Sequence, residues 1–241
     1  MRPASPEVHD DVDNARTSPT QGRHTAARRK ENPMPPSSTT AATATRGRPG
    51  YAREDVIQIA VEEFNARGYE ATSMGTLAER LGLSKSAIYH HISSKEEILV
   101  EATDKALAEL KAVMDAALAE SDDPLEQLRL LVAGTTRVLC QFPAYVRLLL
   151  RLRGNTEVER EIMARRRLLT RTLVDVVDRA QAEGSLRSDL EAGVVARLIF
   201  GMINSIVEWY RPDGKYAPED LAQLTPQMIF DGIVKPGVRH G

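Results

Sequence analysis

The sequence predicts an all-α protein, with three short helices around a helix-turn-helix followed by a longer helical bundle. Three observations predict it. Apolar residues recur at i, i+3 and i+4 from Ala52 onward. No stretch sustains the period-2 alternation of a half-buried strand. The apolar fraction is 42% and the aromatic fraction only 5%, a Leu/Ala/Val/Ile balance that suits helices better than a β-sandwich.

Residues 1–46 are dominated by Pro, Ser, Thr, Ala and charges, with little to bury, and read as a disordered N-terminal extension. They carry no apolar run of the secretory type, and a start at Met34 would lose nothing that looks folded. Arg28, Arg29 and Lys30, with Arg46 and Arg48 further on, are candidates to touch a polyanion; the alternative is a solvated tail.

Three helices fit residues 47–94. Val56, Ile59, Ala60, Phe64 and Ala66 form a stripe closed by Gly68. Ser73 caps "MGTLAERL", which turns Leu77, Ala78 and Leu81 inward. Gly82 makes a turn, and Ser84 caps "KSAIYHHI", burying Ala87 and Ile88.

Residues 95–238 read as a bundle, with helices over roughly 94–120, 124–142, 143–153, 156–184, 189–210 and 217–235. The breaks fall at Asp122-Asp123-Pro124, Phe142-Pro143, Gly154-Asn155, Gly184-Ser185 and Arg211-Pro212-Asp213-Gly214. The most apolar window, 193–210, is interrupted by Arg197, Asn204 and Glu208, which a membrane span carries at a cost of roughly 2.5–3.5 kcal/mol for a central charge. It is expected to be a buried helix. The single cysteine, Cys140, excludes an intramolecular disulfide and a Cys-based zinc site, and fits a reducing compartment. It lies on an apolar face, where a buried, inert thiol is expected. A soluble, cytoplasmic protein without a bound cofactor is the expectation.

The chemistry-bearing stretch is "LGLSKSAIYHHISSKEEIL", residues 81–99. His90 and His91 are adjacent, so they point about 100° apart on a helix and cannot chelate one metal ion together. His9, His24 and His240 fall in terminal sequence. No Ser/His/Asp, HExxH, GxGxxG or P-loop pattern is present at useful spacing, so nothing points to catalysis. With Leu77, Ala78, Leu81, Leu83, Ala87 and Ile88 as a small core, the face left over presents Lys85, Ser86, Tyr89 and His90. That set offers donors to phosphates and base edges and a ring to a thymine methyl. The net charge is −2, so any nucleic-acid signal is local to this stretch.

"TSMGTLAERLGLSKSAIYHHISSKEEIL" resembles the DNA-binding region of the TetR family of bacterial transcriptional regulators. Gly68-Tyr69, Thr72-Ser73, Leu77-Ala78, Gly82-Leu83-Ser84, Tyr89-His90-His91 and Ser94-Lys95-Glu96 fall at family spacing. The resemblance implies a helix-turn-helix domain and a C-terminal bundle for ligand binding and dimerisation. It implies a homodimer on a near-palindromic operator in double-stranded DNA, with a small-molecule effector and no membrane association. Ser84, Lys85, Ser86, Tyr89 and His90 are then the groove-facing residues, while Ser73, His91 and Lys95 contact or position phosphate. Arg46 and Arg48 flank them. Ile92 stands where the family usually has Phe, and Gly75 where a side chain often reaches DNA.

Between Pro143 and Arg171 eight arginines stand against three glutamates. They read either as a solvated face, with Glu157 and Glu161 meeting Arg165, or as guanidinium groups seeking an anion. In "LIFGMINSIVEWYRPDG", Asn204, Glu208 and Arg211 are expected to share a face. The two stretches together resemble the acyl-CoA-responsive subgroup of the same family. That resemblance implies ligand contacts from Arg147, Arg151, Arg153, Arg166, Phe200, Asn204, Glu208 and Trp209, and an effector such as phenylacetyl-CoA or a fatty acyl-CoA. A hydrophobic drug-like effector is the alternative, and an all-α small-molecule-binding enzyme is the reading from another class. The dimer interface is expected in the last two helices, roughly 189–235.

Overall fold

The computed structural model describes residues 51–232. The N-terminal expectations, including Arg46 and Arg48, lie outside the described residues, as do His240 and the end of the last expected helix. Among the described residues the structure is helical throughout, with no strand.

Helix α1 (Arg53–Arg67) ends at Gly68, whose φ of 94° suits a residue without Cβ. Helix α2 (Met74–Leu81) starts at Ser73, whose side chain accepts from the Thr76 amide, and stops at Gly82 in the left-handed region. Helix α3 (Lys85–His91) starts at Ser84, which accepts from the Ala87 amide. The caps fall where the sequence predicts them, because each is a local bond. Leu77, Ala78, Leu81 and Ile88 are buried together, with Leu83 packed against them and Ala87 half-buried. Ile92 is also buried, so the smaller side chain still plugs the end of α3.

Helix α4 (Lys95–Glu120) runs from this domain into the bundle formed by α5 (Pro124–Gln141), α6 (Pro143–Arg151), α7 (Glu157–Ala182), α8 (Ala192–Asn204), α9 (Ile206–Trp209) and α10 (Pro218–Pro226). Helix α5 is central and packs against α4, α7 and α10. It approaches α4 closely at Gly134, where a Cβ would stand 2.5 Å from Cγ1 of Val113. Between α6 and α7 the chain is held by buried Glu159, whose carboxylate accepts the amides of Arg153, Gly154 and Asn155 at 2.8–3.2 Å.

Two expected helices differ. The 189–210 helix is interrupted at Ser205, whose hydroxyl donates to the Met202 carbonyl at 2.7 Å and so competes for helix bonding. The helix expected over 217–235 is α-helical only to Pro226. Proline has no amide to donate, and the chain continues as a wider π turn over Gln227–Asp231. The apolar window is also less buried than expected. Only 28% of the stretch Ala192–Trp209 is buried, and Leu198 and Met202 stand 58% and 50% exposed on one side of α8.

Candidate functional site

Two sites emerge, one at each end of the chain's architecture. The first is the outer face of α3. Burial of Ile88 fixes the rotation of this seven-residue helix, so Lys85, Ser86, Tyr89 and His90 all stay exposed, Tyr89 at 52%. A surface groove brings Lys85, Tyr89, Ser73, Gly75 and Lys95 together. Gly75 lies against Lys85, and a Cβ there would meet the lysine Cε at 3.4 Å, an ordinary contact. Ser73 and Ser84 are already committed to their caps, at 3.1 Å each, with Ser84 also 3.0 Å from the Ser86 hydroxyl. Their placing of α2 and α3 is structural first.

Lys95 is tethered as well. Its ammonium lies 4.5 Å above the Tyr69 ring and donates to the Tyr69 carbonyl at 3.3 Å. Tyr69 is buried against Phe64 edge-on, and burial pushes its hydroxyl pKa well up from the ordinary value. His91 is half-buried, and its backbone carbonyl accepts from Arg53. Buried Glu63 joins α1 to α2 by pairing with Arg67 at 2.8 Å and Arg80 at 3.0 Å. The exposed face of α3 therefore rides on a scaffold of ion pairs and caps.

The second site is a cavity of about 340 Å³ inside the bundle. Leu110 and Met114 of α4, Leu139 of α5, and Val146, Leu149 and Leu150 of α6 supply apolar walls. Phe200 and Gly201 of α8 and Leu169 of α7 close it. The polar lining is Thr135, Thr170, Asn204, Arg166 and Arg197. Arg166 donates to the Leu149 carbonyl at 2.8 Å, and its burial, with Arg167 adjacent, pushes its pKa down from the ordinary guanidinium value.

The structure divides the eight residues expected at the ligand. Arg166, Phe200 and Asn204 line the cavity. Arg147, Arg151 and Glu208 instead meet in a separate outer cleft with Glu62, Asn65 and Arg211. Arg147 donates to the Val207 carbonyl, Arg151 to the Asn65 carbonyl at 2.7 Å, and Asn65 to the Ala144 carbonyl at 2.8 Å. Glu208 lies 3.9 Å from Arg147 and 3.7 Å from Arg151. Arg153 and Trp209 are exposed, and neither lines the cavity.

The cause is helical phase. On α6, positions 146, 149 and 150 face the cavity while 147 and 151 fall on another flank. The break at Ser205 separates Asn204, inside, from Glu208 and Arg211, outside, so the three do not share a face. Nor do Glu157 and Glu161 meet Arg165, which pairs with Asp104 of α4, while Glu157 pairs with Arg160. Sequence reasoning missed Arg197, Thr135 and Thr170. Only Arg197 left a signal, as a charge inside an apolar run.

Among the described residues no cluster of His, Cys, Asp and Glu could hold a metal ion. Burial pushes the Cys140 thiol up to about 11.

A three-helix helix-turn-helix unit joined to a bundle that encloses a cavity is the architecture of a one-component transcription regulator, and the comparisons agree. Residues 56–102 match the family model "Bacterial regulatory proteins, tetR family", and residues 121–233 match "Tetracyclin repressor-like, C-terminal domain". A TetR-family regulator of Streptomyces coelicolor, SCO3833, is 40% identical in its solved structure, which covers 75% of this chain and 91% of its own, with a TM-score of 0.70. The chain belongs to the TetR family of transcriptional regulators. The repressor KstR2 of Mycolicibacterium smegmatis is 27% identical over 81% of this chain and 98% of its own. The solved KstR2 of Mycobacterium tuberculosis, a ketosteroid transcriptional regulator, is also 27% identical, over 78% and 98%, with a TM-score of 0.68.

Proposed function

We propose that this chain is a homodimeric repressor that sets α3 into adjacent major grooves of a palindromic operator, and that an acyl compound in the bundle cavity releases it. The observation that carries this reading is the placement of α6. One flank of this nine-residue helix lines the cavity through Val146, Leu149 and Leu150; another is bonded to the DNA-binding domain through Arg151–Asn65 and Asn65–Ala144. A ligand that displaces α6 therefore strains α1, and with it the spacing of the two reading heads. By linkage, operator DNA weakens effector affinity by the same factor.

Lys85, Ser86, Tyr89 and His90 are assigned to base edges and phosphates, with Lys95 and His91 holding the flank. The exposed apolar side of α8, with Leu224 and Met228 beyond it, is the surface offered to a second copy. The cavity volume lies at the lower end of small-molecule sites, about 300–1,000 Å³. It suits the acyl part of phenylacetyl-CoA or a fatty acyl-CoA, with the nucleotide carrier left outside. KstR2 is a ketosteroid transcriptional regulator, and the relation to it supports an apolar small-molecule effector.

A gel shift on the DNA upstream of its own gene tests the reading. Wild-type protein should bind, and a Lys85→Ala, Tyr89→Ala variant that still dimerises should not. Lys85 serves better here than Lys95, whose loss would also free the α1–α2 loop. Unchanged binding by the variant refutes the contact assignment. Calorimetry that detects no heat with any acyl-CoA or free acid refutes the effector.

A further inference from the structure

Arg166 is out of place in its surroundings. It lines, from α7, a cavity whose walls are mostly Leu, Met, Val and Phe, and it is partly buried. A desolvated guanidinium is costly unless an anion compensates it. Its neighbour in sequence, Arg165, reaches Asp104, and Arg160 reaches Glu157. Arg166 has no carboxylate partner among the described residues. Its one side-chain bond goes to the Leu149 carbonyl, which uses a single donor of the five that a guanidinium carries. Arg197, on the facing helix α8, lines the same cavity from a solvent-exposed position and has no ion-pair partner among the described residues. Asn204 and Thr170 add neutral donors beside them. No wall residue of this cavity is an Asp or Glu, so the two charged side chains that line it are both cationic.

We infer that the effector places a carboxylate inside the cavity, paired with Arg166 and backed by Arg197. This rests on the reading that the cavity is the effector site, and narrows it. A thioester carbonyl is neutral and would leave the guanidinium uncompensated. The carboxylate belongs either to a free acid or to an acyl group whose far end is a second carboxylate. Arg166 also bonds the last turn of α6, so an anion drawn to it pulls on the helix that carries the link to α1.

Calorimetry on the full-length dimer with two ligand pairs tests this. The first pair is octanoate against octan-1-ol; the second is suberyl-CoA, with its free terminal carboxylate, against octanoyl-CoA. Wild-type protein should prefer the carboxylate in one pair by about tenfold or more, the order expected of a charge-assisted hydrogen bond. Preference in the first pair identifies a free acid, and in the second a dicarboxylic acyl group. Arg166→Met should erase the preference while retaining the affinity for the partner that lacks the carboxylate, which also shows that the variant folds. Arg166→Lys should restore part of it. Equal affinities within both pairs, or a preference that survives Arg166→Met, overturns the inference and leaves the cavity reading standing. Absence of binding in all four arms overturns the cavity reading itself.

Discussion

Arg53 and Glu97 join the first turn of α1 to the first turn of α4, 2.5 Å apart, and Glu101 completes the clamp at 2.7 Å from the same guanidinium. The same arginine donates to the carbonyl of His91, the last residue of α3. One side chain thus fixes α3 to the helix that leads into the bundle.

Acid should loosen this clamp in a defined window. The Ser93 hydroxyl, the Arg53 guanidinium and the Ser93 amide hold the Glu97 carboxyl at about 2, against an ordinary value of 4.5. Because the folded value is depressed, the contribution is present above about 4.5 and fades as pH falls toward about 2. Thermal melts of Glu97→Gln should lie below wild type at neutral pH and converge with it across that window. Parallel pH profiles would contradict the assignment.

The salt dependence of operator binding reports on Lys85. If its ammonium meets a phosphate, Lys85→Ala should lower the slope of log K against log salt by about 1. A weaker complex with an unchanged slope would move Lys85 from the backbone to a base edge.

The close approach of α4 and α5 makes Gly134 irreplaceable as it stands. A Cβ there meets the β-branched Val113 at 2.5 Å, and valine cannot rotate far out of its helical rotamer. Gly134→Ala should destabilise the protein by about 1–3 kcal/mol in denaturant titration, as overpacking does. Val113→Ala in the same chain should recover most of the loss, and failure to recover it would place the cost elsewhere.

Cys140 is buried, with its thiol pushed up to about 11 by burial and then by Glu219. Near neutral pH it should resist a thiol-exchange reagent in the native protein and react only when denaturant opens the fold. Rapid labelling without denaturant would mean that α5 and α10 part readily.

The DNA-binding half was legible because its signals are local. Ser73, Gly82 and Ser84 each act within three or four residues, so a short window suffices to place α2 and α3. The cavity was not, because its walls come from five helices and depend on their relative rotation. The arginines between 147 and 171 look alike in sequence, yet Arg147 and Arg151 fall outside and Arg166 inside. The turn at Ser205 depends on a hydroxyl choosing a backbone carbonyl, which composition does not reveal.

The division of labour on α6 sets where this protein can be retuned. Seven residues facing the cavity lie on α7 and α8, and none of them takes part in the bonds to α1. On the proposed reading, a sensor for a different small acid can be sought by varying those two helices alone, keeping residues 143–151 constant so that the bonds to α1 are inherited intact.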